Sequence, residues 1–274
     1  MLGPDTASVS PARTVWSLLE AIHAPIYFAD EARAALDAVG MKGFWMGYFA
    51  SRAAPMGTVP APVVTATFFN FRPSMVERAI PDAWSLAPPD AILAARYVGA
   101  DAMWRRLVGD IDVTELAGLA RRAAEAADHD GRPLSAAHAA LDWPDAPHLV
   151  LWHAATVLRE HRGDGHVAAL VSEGVSGCAA HVIAAASGAS TRQLLQASRG
   201  WTDDEWDAAA ATVAGRELEL RAAVEARTDA LAWPPLQSLG DDGLGRLIEL
   251  AAPIAARIMG GGEIPVPNPI GLGR

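Results

Sequence analysis

Three histidines and an aspartate stand close together in the most apolar stretch of the chain, residues 148–187. They are His153, His161, Asp164 and His166. Imidazole and carboxylate groups can act as a base and its orienting partner, or can bind a divalent metal. His153 and His161 are eight positions apart, about 12 Å along a helix, so both cannot ligate one ion unless the helix kinks. We predict catalytic roles for His153, Asp164 and His166 and no metal site; the alternative is structural, with Asp164 as a helix cap and His161 bonded to helix carbonyls.

Arg52 and Asn70 are candidates for binding rather than for catalysis. Arg52 stands in the segment SRAAPMG, and Asn70 lies between two phenylalanines. A buried guanidinium and an amide can hold a carboxylate or carbonyl group of a ligand. The alternative for Arg52 is an internal salt bridge that ties two parts of the chain together.

His23, Tyr27 and Trp45 complete the candidate ligand-binding set. His23, Tyr27 and Glu31 recur every four residues and would share a helix face if Pro25 did not interrupt it. The alternative is a polar helix end. Trp45 belongs to a group of aromatic side chains in a chain with only 7% aromatic residues, and this group forms either one wall of a pocket or part of the core.

The composition favours helices as the elements that position these side chains. Alanine, the best helix former, is abundant, hydrophobic residues are 51% of the 274 residues, and β-branched runs are few. We therefore predict an all-α fold. The segment VVTATFFNF could be a strand or a buried helix, and we predict a helix because no partner strand is visible elsewhere.

The charge and the single cysteine exclude several classes of protein. Lys plus Arg is 22 against 32 Asp plus Glu, a formal net charge of -10, and such a field opposes binding to nucleic acid and to anionic membranes. Cys178 is the only cysteine, so there is no intrachain disulfide and no zinc site of several thiolates. With no signal sequence and no run approaching ~18 apolar residues, we expect a cytoplasmic protein that makes no membrane contact.

Glycines and prolines predict several helix ends. The first helix is expected from about Pro11 to His23. Gly163 and Gly165 predict a break in the apolar stretch, where Asp164 caps a new helix. His166 would then lie in the first turn of that helix. The helix dipole would lower its pKa there and Asp164 would raise it, so both charge states of His166 stay open.

Two capping boxes predict further helix starts. They pair Ser190 with Gln193 and Thr202 with Glu205. The helix that Thr202 opens is expected to continue to about Ala232, where prolines end it.

The order of motifs along the chain carries a family resemblance. From residue 12 to about 258 the motifs are IHAPIYFADEARAAL, GYFASRAAPMG, FFNFRP, IPDAW, LWHAATVLREHRGDGHVAAL and RGWTDDEW. This order resembles an actinobacterial SalK-like helix-turn-helix family related to MarR-type winged helices. The resemblance implies that the helix opened by Thr202 corresponds to the recognition helix. The sequence passes from DAAAATVAGRELEL straight into RAAVEARTDAL, so the wing is expected to be reduced or absent.

The resemblance and the linker DHDGRP, Asp128–Pro133, together predict the domain organisation. Two similar winged-helix-like helical halves would pack together, and a weak internal repeat suggests a duplication. Buried polar groups in both halves are most easily paired by facing one another or a ligand. We therefore expect a site between the halves, lined by His23, Tyr27, Arg52, Asn70, His153 and His166. The expected ranges are a flexible tail over 1–10, an N-terminal helical half over 11–130, a C-terminal winged-helix-like half over 131–259 and an extended tail over 260–274.

Two functions from different classes remain open. The first is a sensor or regulator that binds a small apolar or aromatic molecule between the halves, with weak or lost DNA binding. The presumed recognition helix begins with Asp203, Asp204, Glu205 and Asp207, and these carboxylates would repel phosphates. The second is an enzyme of actinobacterial natural-product or secondary metabolism that uses a His/Tyr/Arg site, with or without a metal or haem. The sequence identifies no cofactor, and it is compatible with a homodimer.

Overall fold

All regular secondary structure in residues 10–272, the part of the chain that this computed structural model describes, is helical. The predicted all-α fold class is confirmed. Short 3-10 helices at Ala24–Tyr27 and Ala54–Met56 supplement the α-helices. The α-helices are α1 Pro11–His23, α2 Asp30–Ala38, α3 Gly43–Ala53, α4 Ala61–Phe68, α5 Pro73–Glu77, α6 Asp82–Leu86, α7 Pro89–Leu107, α8 Thr114–Glu125, α9 Pro133–Ala139, α10 Pro147–Ser172, α11 Gly177–Ala186, α12 Arg192–Arg199, α13 Asp203–Val213, α14 Glu217–Gln237 and α15 Gly240–Gly260.

Helix α10 is the central element of the fold. Residues 151–158 are all buried, because helices pack on several sides of this apolar segment. The helices in contact with it are α1, α7, α8, α9 and α14. α1 also packs against α14 and α15. Helices from both ends of the sequence therefore share one hydrophobic core, which includes Val15, Leu116, Leu151 and Leu247.

The predicted break at Gly163 and Gly165 is wrong, because α10 continues through both glycines. A Cβ atom on Gly165 would lie 2.6 Å from the guanidinium of Arg132 and 3.3 Å from the Cβ of Leu231. This glycine therefore permits a close approach to α10 rather than a turn. Asp164 consequently does not cap a following helix. Its carboxylate accepts hydrogen bonds from the backbone N–H groups of Leu134 and Ser135, at 3.0 and 2.9 Å, and so caps the start of α9.

Predictions of local helix ends have mixed outcomes. The first helix has its predicted bounds, and VVTATFFNF is helical as far as Phe68. The capping box of Thr202 and Glu205 is present. The box at Ser190 is wrong, because Thr191 caps α12 and accepts from Leu194 N–H at 3.2 Å.

The predicted long helix from Thr202 is also wrong. α13 ends at Val213, since Gly215 adopts a left-handed conformation with φ 78°. α14 begins at Glu217 and continues through Pro234 and Pro235. The connection between the two helices is too short for a β-hairpin, and no strand is present in residues 10–272.

The segment after α15 has irregular backbone and folds back on the helices. The Oδ1 atom of Asn268 accepts N–H bonds from Ile270, Gly271 and Leu272 at 3.0, 2.8 and 3.2 Å. Leu272 is buried in a small cluster with Ala24. The expected N-terminal tail falls mostly on residues 1–9, outside the described residues, while Ser10 caps α1.

No single helix within residues 10–272 combines the length and apolarity needed to cross a membrane. α10 and α11 reach that threshold only as a pair, and they are bent by 94° at the break between them.

Candidate functional site

A cavity of about 720 Å³ lies between helices that come from distant parts of the sequence. α1, α3, α4, α10, α11, α12 and α14 contribute to its wall, and residues 269–272 of the C-terminal segment cover part of it. A cavity of this volume is in the range of small-molecule sites in proteins.

The cavity contains some of the predicted site residues and not others. Arg52, Asn70, Asp164 and His166 line it. His23, Tyr27, Trp45 and His153 occupy other positions, which are described below. The structure therefore does not bring all the predicted site residues to one cavity.

Arg52 forms a buried ion pair with Glu160. Its Nη2 and Nε atoms lie 2.8 and 3.3 Å from the two carboxylate oxygens, and its Nη1 donates to the hydroxyl of Tyr48 at 2.8 Å. Glu160 also accepts from Arg159 at 2.7 Å, and Arg159 donates to Glu20 at 3.1 Å. Burial acts to raise the pKa of Glu160, but Arg159 and Arg52 hold this pKa well below its usual range. Glu160 therefore stays ionised, and Arg52 makes the salt bridge that was the alternative reading of the sequence.

A second ion-pair cluster contributes Arg13, Arg162, Arg221 and Glu225 to the cavity wall. Arg13 pairs with Glu225, Arg162 lies 2.9 Å from Asp229, and Arg221 lies 2.8 Å from Glu225. Three guanidiniums therefore share two carboxylates. Burial lowers the pKa of Arg221 to about 10, with further lowering by Arg13 and Arg162. Arg221 therefore remains cationic near neutral pH.

Arg199 has no carboxylate partner among residues 10–272. Its Nη1 donates to the carbonyl of Ser198 at 3.2 Å, and its guanidinium lies 4.5 Å from the ring centre of Phe71. Its Nε atom is buried and has no hydrogen-bond partner. Burial lowers the pKa of Arg199 to about 10, and the nearby Arg52 contributes. Arg199 is thus an unpaired cation on the wall of the cavity.

The cavity as a whole carries an excess of positive charge. Six arginines line it against four carboxylates, while Asp229 lies behind the wall. Burial raises the pKa of one of these carboxyl groups, Asp164, to about 6. The excess is opposite in sign to the net charge of the chain, and sequence reasoning missed most of these arginines. The available signal was the run LREHR, which places charged residues inside an apolar helix.

The two histidines on the cavity wall are neutral. His166 lies in the middle of α10, so the predicted effect of a helix dipole on it is wrong; burial lowers its pKa to about 3. Its Nδ1 lies 2.9 Å from the hydroxyl of Thr228, which itself donates to the carbonyl of Val224. Nδ1 therefore carries the proton. His181 donates from Nε2 to the backbone carbonyl of Asn70 at 2.9 Å, and burial lowers its pKa to about 3.

His23, His153 and Trp45 lie in other parts of the hydrophobic interior. His153 is fully buried, and its Nδ1 is 2.7 Å from the hydroxyl of Tyr97. His23 stacks on Trp152 at 5.6 Å. Trp45 packs among the aromatic rings of α3 and its neighbours. Tyr27 lines a separate, smaller cavity.

The described part of the chain offers few groups for metal binding or thiol chemistry. Within residues 10–272 no three His, Cys, Asp or Glu side chains are arranged to hold a metal ion. Cys178 is buried, and burial raises the pKa of its thiol to about 11. This thiol is therefore protonated near neutral pH.

Helices α11, α12 and α13 form a compact group beside the cavity. α11 packs against both α12 and α13. α12 and α13 are joined by a short turn in which Gly200 has φ 82°. Two helices joined by a tight turn that contains glycine are typical of the helix-turn-helix motif.

Comparison with known proteins agrees with this arrangement. Residues 12–265 match the model of a helix-turn-helix family. No curated protein and no solved structure matches the chain. Because the match extends over nearly the whole sequence, the chain belongs to this helix-turn-helix family.

Proposed function

We propose that this protein is a regulator that binds a small organic acid in its arginine-lined cavity. The observation that carries the proposal is Arg199, a cation on the cavity wall without a carboxylate partner in residues 10–272. Arg199 is half-buried, and its Nε atom is fully buried. A charge without a partner at such a position is costly, and an anionic ligand would remove that cost.

Other buried groups on the same wall are also suited to an anion. The Oγ atom of Ser190 and the Nε atom of Arg162 are buried without hydrogen-bond partners, and both residues line the cavity. Hydroxyl and guanidinium groups both donate to carboxylate, sulfonate or phosphate oxygens. Phe68, Phe71 and Leu195 supply apolar surface for the body of the ligand. An acid with an aromatic or apolar body fits this combination.

The position of Arg199 supports a regulatory role. Arg199 is the last residue of α12, and its carbonyl accepts from the N–H of Arg72 at 3.0 Å. The side chain of Arg72 in turn pairs with Glu205 of α13 at 2.9 Å. A ligand held by Arg199 would therefore act on the turn between α12 and α13, the two helices of the proposed helix-turn-helix.

The same helices support the proposal that DNA contact is weak. Arg192 is bound by Asp203 and Asp207, at 2.7 and 2.8 Å, and Arg72 is bound by Glu205. These arginines are already neutralised by carboxylates at the start of α13, the presumed recognition helix. We propose that the protein derives from MarR-type winged helices and has lost the wing, which the short connection between α13 and α14 supports.

The cavity can be tested with 8-anilinonaphthalene-1-sulfonate, an anionic aromatic fluorophore. We expect saturable binding to the native protein, and about tenfold weaker binding to Arg199→Gln, because hydrogen bonds to charged groups contribute about 1.5–3 kcal/mol. The matched control is Arg192→Gln, at the exposed start of the same helix, which should bind the probe as the native protein does. An uncharged naphthylamine analogue should show no difference between native protein and Arg199→Gln. Equal affinity of the sulfonate for native protein and Arg199→Gln would rule out the anion site.

A further inference from the structure

A second cavity, of about 190 Å³, lies next to the large one. It is lined by α2, α3, the 3-10 helix Ala24–Tyr27 and Arg96 of α7. Tyr48 lines both cavities, so the two are neighbours with different linings. The proposed function makes no use of the smaller one.

Arg96 is an almost fully buried cation, 3% exposed. Its Nη1 donates to the carbonyl of Ser51 at 2.9 Å, and its Nη2 lies 3.4 Å from Nε2 of His23. Its Nε atom is buried without a partner. No carboxylate of residues 10–272 pairs with Arg96, so no ion pair neutralises its charge.

The charges around Arg96 do not balance. Arg52, Arg159 and Arg96 face only Glu20 and Glu160, and both carboxylates are already bonded to the first two arginines. Two histidines and two tyrosines near this cluster are neutral. Burial, followed by neighbouring arginines, holds the pKa of His23 and of His138 well below the usual value, and burial raises the pKa of Tyr27 and of Tyr97. The cluster therefore retains one uncompensated positive charge.

Two further hydrogen-bond donors beside Arg96 have no partner. Because a guanidinium cannot accept a hydrogen bond, Nε2 of His23 must accept from Arg96, and the imidazole proton is on Nδ1. That Nδ1 atom is buried and unpartnered, as is the hydroxyl of Tyr27. Unsatisfied buried donors that cluster around a cation require an acceptor.

We propose that this smaller cavity binds a short-chain carboxylate. Its oxygens would accept from Nε of Arg96 and from the hydroxyl of Tyr27, and its carbon chain would lie against Ile26 and Leu36. The volume is slightly larger than the ~150 Å³ of an engineered protein cavity that binds benzene, so it suits a ligand of a few heavy atoms.

The rim of the cavity favours a monoanion. Asp30 and Asp37 also line it; Asp30 is exposed, and Asp37 pairs with Arg33 at 2.8 Å. Arg33 also lines the cavity and neutralises Asp37, so Asp30 supplies the excess negative charge at the rim. This charge would repel a polyanion such as phosphate more strongly than a carboxylate.

The probe is ¹³C-labelled propionate, titrated by NMR into the full chain at constant ionic strength. We expect about tenfold weaker binding to Tyr27→Phe, which removes only the donating hydroxyl. The matched control is Tyr97→Phe, whose hydroxyl bonds His153 outside the cavity and whose loss should leave propionate affinity unchanged. Arg96→Lys, which keeps the charge but loses the donor fork, is a second variant and should also bind more weakly.

The outcomes separate this proposal from the previous one. Propionate binding that survives in Arg199→Gln but weakens in Tyr27→Phe supports a carboxylate site at Arg96, whatever the large cavity does. Binding that weakens in Arg199→Gln and not in Tyr27→Phe assigns propionate to the large cavity and overturns the proposal. Displacement of propionate by millimolar chloride at constant ionic strength would show a halide site instead and would also overturn it.

Discussion

Asp164 is the buried carboxyl group whose ionisation is most sensitive to pH near neutrality. Burial raises its pKa to about 6, although the N–H groups of Ser135 and Leu134 favour the charged form. Its neighbour one turn earlier, Glu160, has its pKa shifted in the opposite direction because two guanidiniums bind it. Two carboxyl groups on one helix thus titrate in different pH ranges, because guanidiniums offset the effect of burial at Glu160 and not at Asp164.

The raised pKa of Asp164 predicts a specific pH dependence of stability. Between the unfolded value near 3.8 and about 6 the folded state binds more protons than the unfolded state, so this group makes the protein less stable as pH rises through that window. Compared with Asp164→Asn, which keeps an acceptor for both N–H groups, the native protein should lose up to ~3 kcal/mol of unfolding free energy between pH 4 and pH 7. Urea unfolding at several pH values measures this difference. Asp145→Asn, at an exposed position, should track the native protein, and a difference between native and Asp164→Asn that is constant with pH would contradict the prediction.

The start of α11 packs closely against the backbone at the end of α4. A Cβ atom on Gly177 would overlap the carbonyl oxygen of Phe69 and would lie 3.2 Å from the Cα of Asn70. Phe69 has φ 58° and ψ -53°, and a positive φ is uncommon for a residue other than glycine. The carbonyl of Asn70 accepts from both His181 and Trp201. This close approach of backbones therefore fixes the segment that forms one wall of the large cavity.

We predict that Gly177→Ala both destabilises the protein and weakens binding in the large cavity. The added methyl group meets backbone that cannot move away cheaply, so the free energy of unfolding should fall by about 1–3 kcal/mol. Gly118→Ala is the control, because its Cβ in α8 would contact nothing within 4 Å. It should raise stability by up to about 1 kcal/mol through helix propensity. Thermal unfolding and titration with the naphthalene sulfonate measure both effects, and equal stability of the two variants would contradict this account.

For the whole molecule, the distribution of charge opposes interaction with DNA. The formal net charge is -10, the positive excess is enclosed in the cavity, and the first turn of α13 is acidic. Family membership nevertheless makes DNA a reasonable partner to test. Affinity for DNA depends largely on neutralised phosphates. Arg72 and Arg192, next to the start of α13, are already paired with carboxylates.

We predict that the protein binds DNA weakly and without sequence preference. In a gel shift near physiological salt with genomic fragments, any complex should disappear when competitor DNA is added. Replacing Asp203, Asp204 and Asp207 with asparagine should strengthen binding, because it frees Arg192 and removes repulsion. Tight binding by the native protein that resists competitor would show that α13 is a functional recognition helix.

The sequence by itself determined the helical class and several helix ends. Three local signals predicted them: the alanine content, the prolines in the first turns of α1 and α4, and the capping box of Thr202 with Glu205. Each signal acts within about one helical turn, so it can be recognised without knowing what packs nearby. The salt bridge of Arg52 was also foreseeable as a type of interaction. Its partner was not, because Glu160 lies 108 positions away.

Only the tertiary structure decided where α10 continues and which cations remain unpaired. Gly163 and Gly165 carry the local signal of a break, but Arg132 and Leu231 pack against Gly165, and the burial of α10 on several sides outweighs the weak helix propensity of glycine. Arg52 and Arg199 are the same type of residue, so residue type does not distinguish the paired arginine from the unpaired one. One meets a carboxylate and the other does not, since the distance between charges depends on how distant helices pack and not on neighbours in the chain.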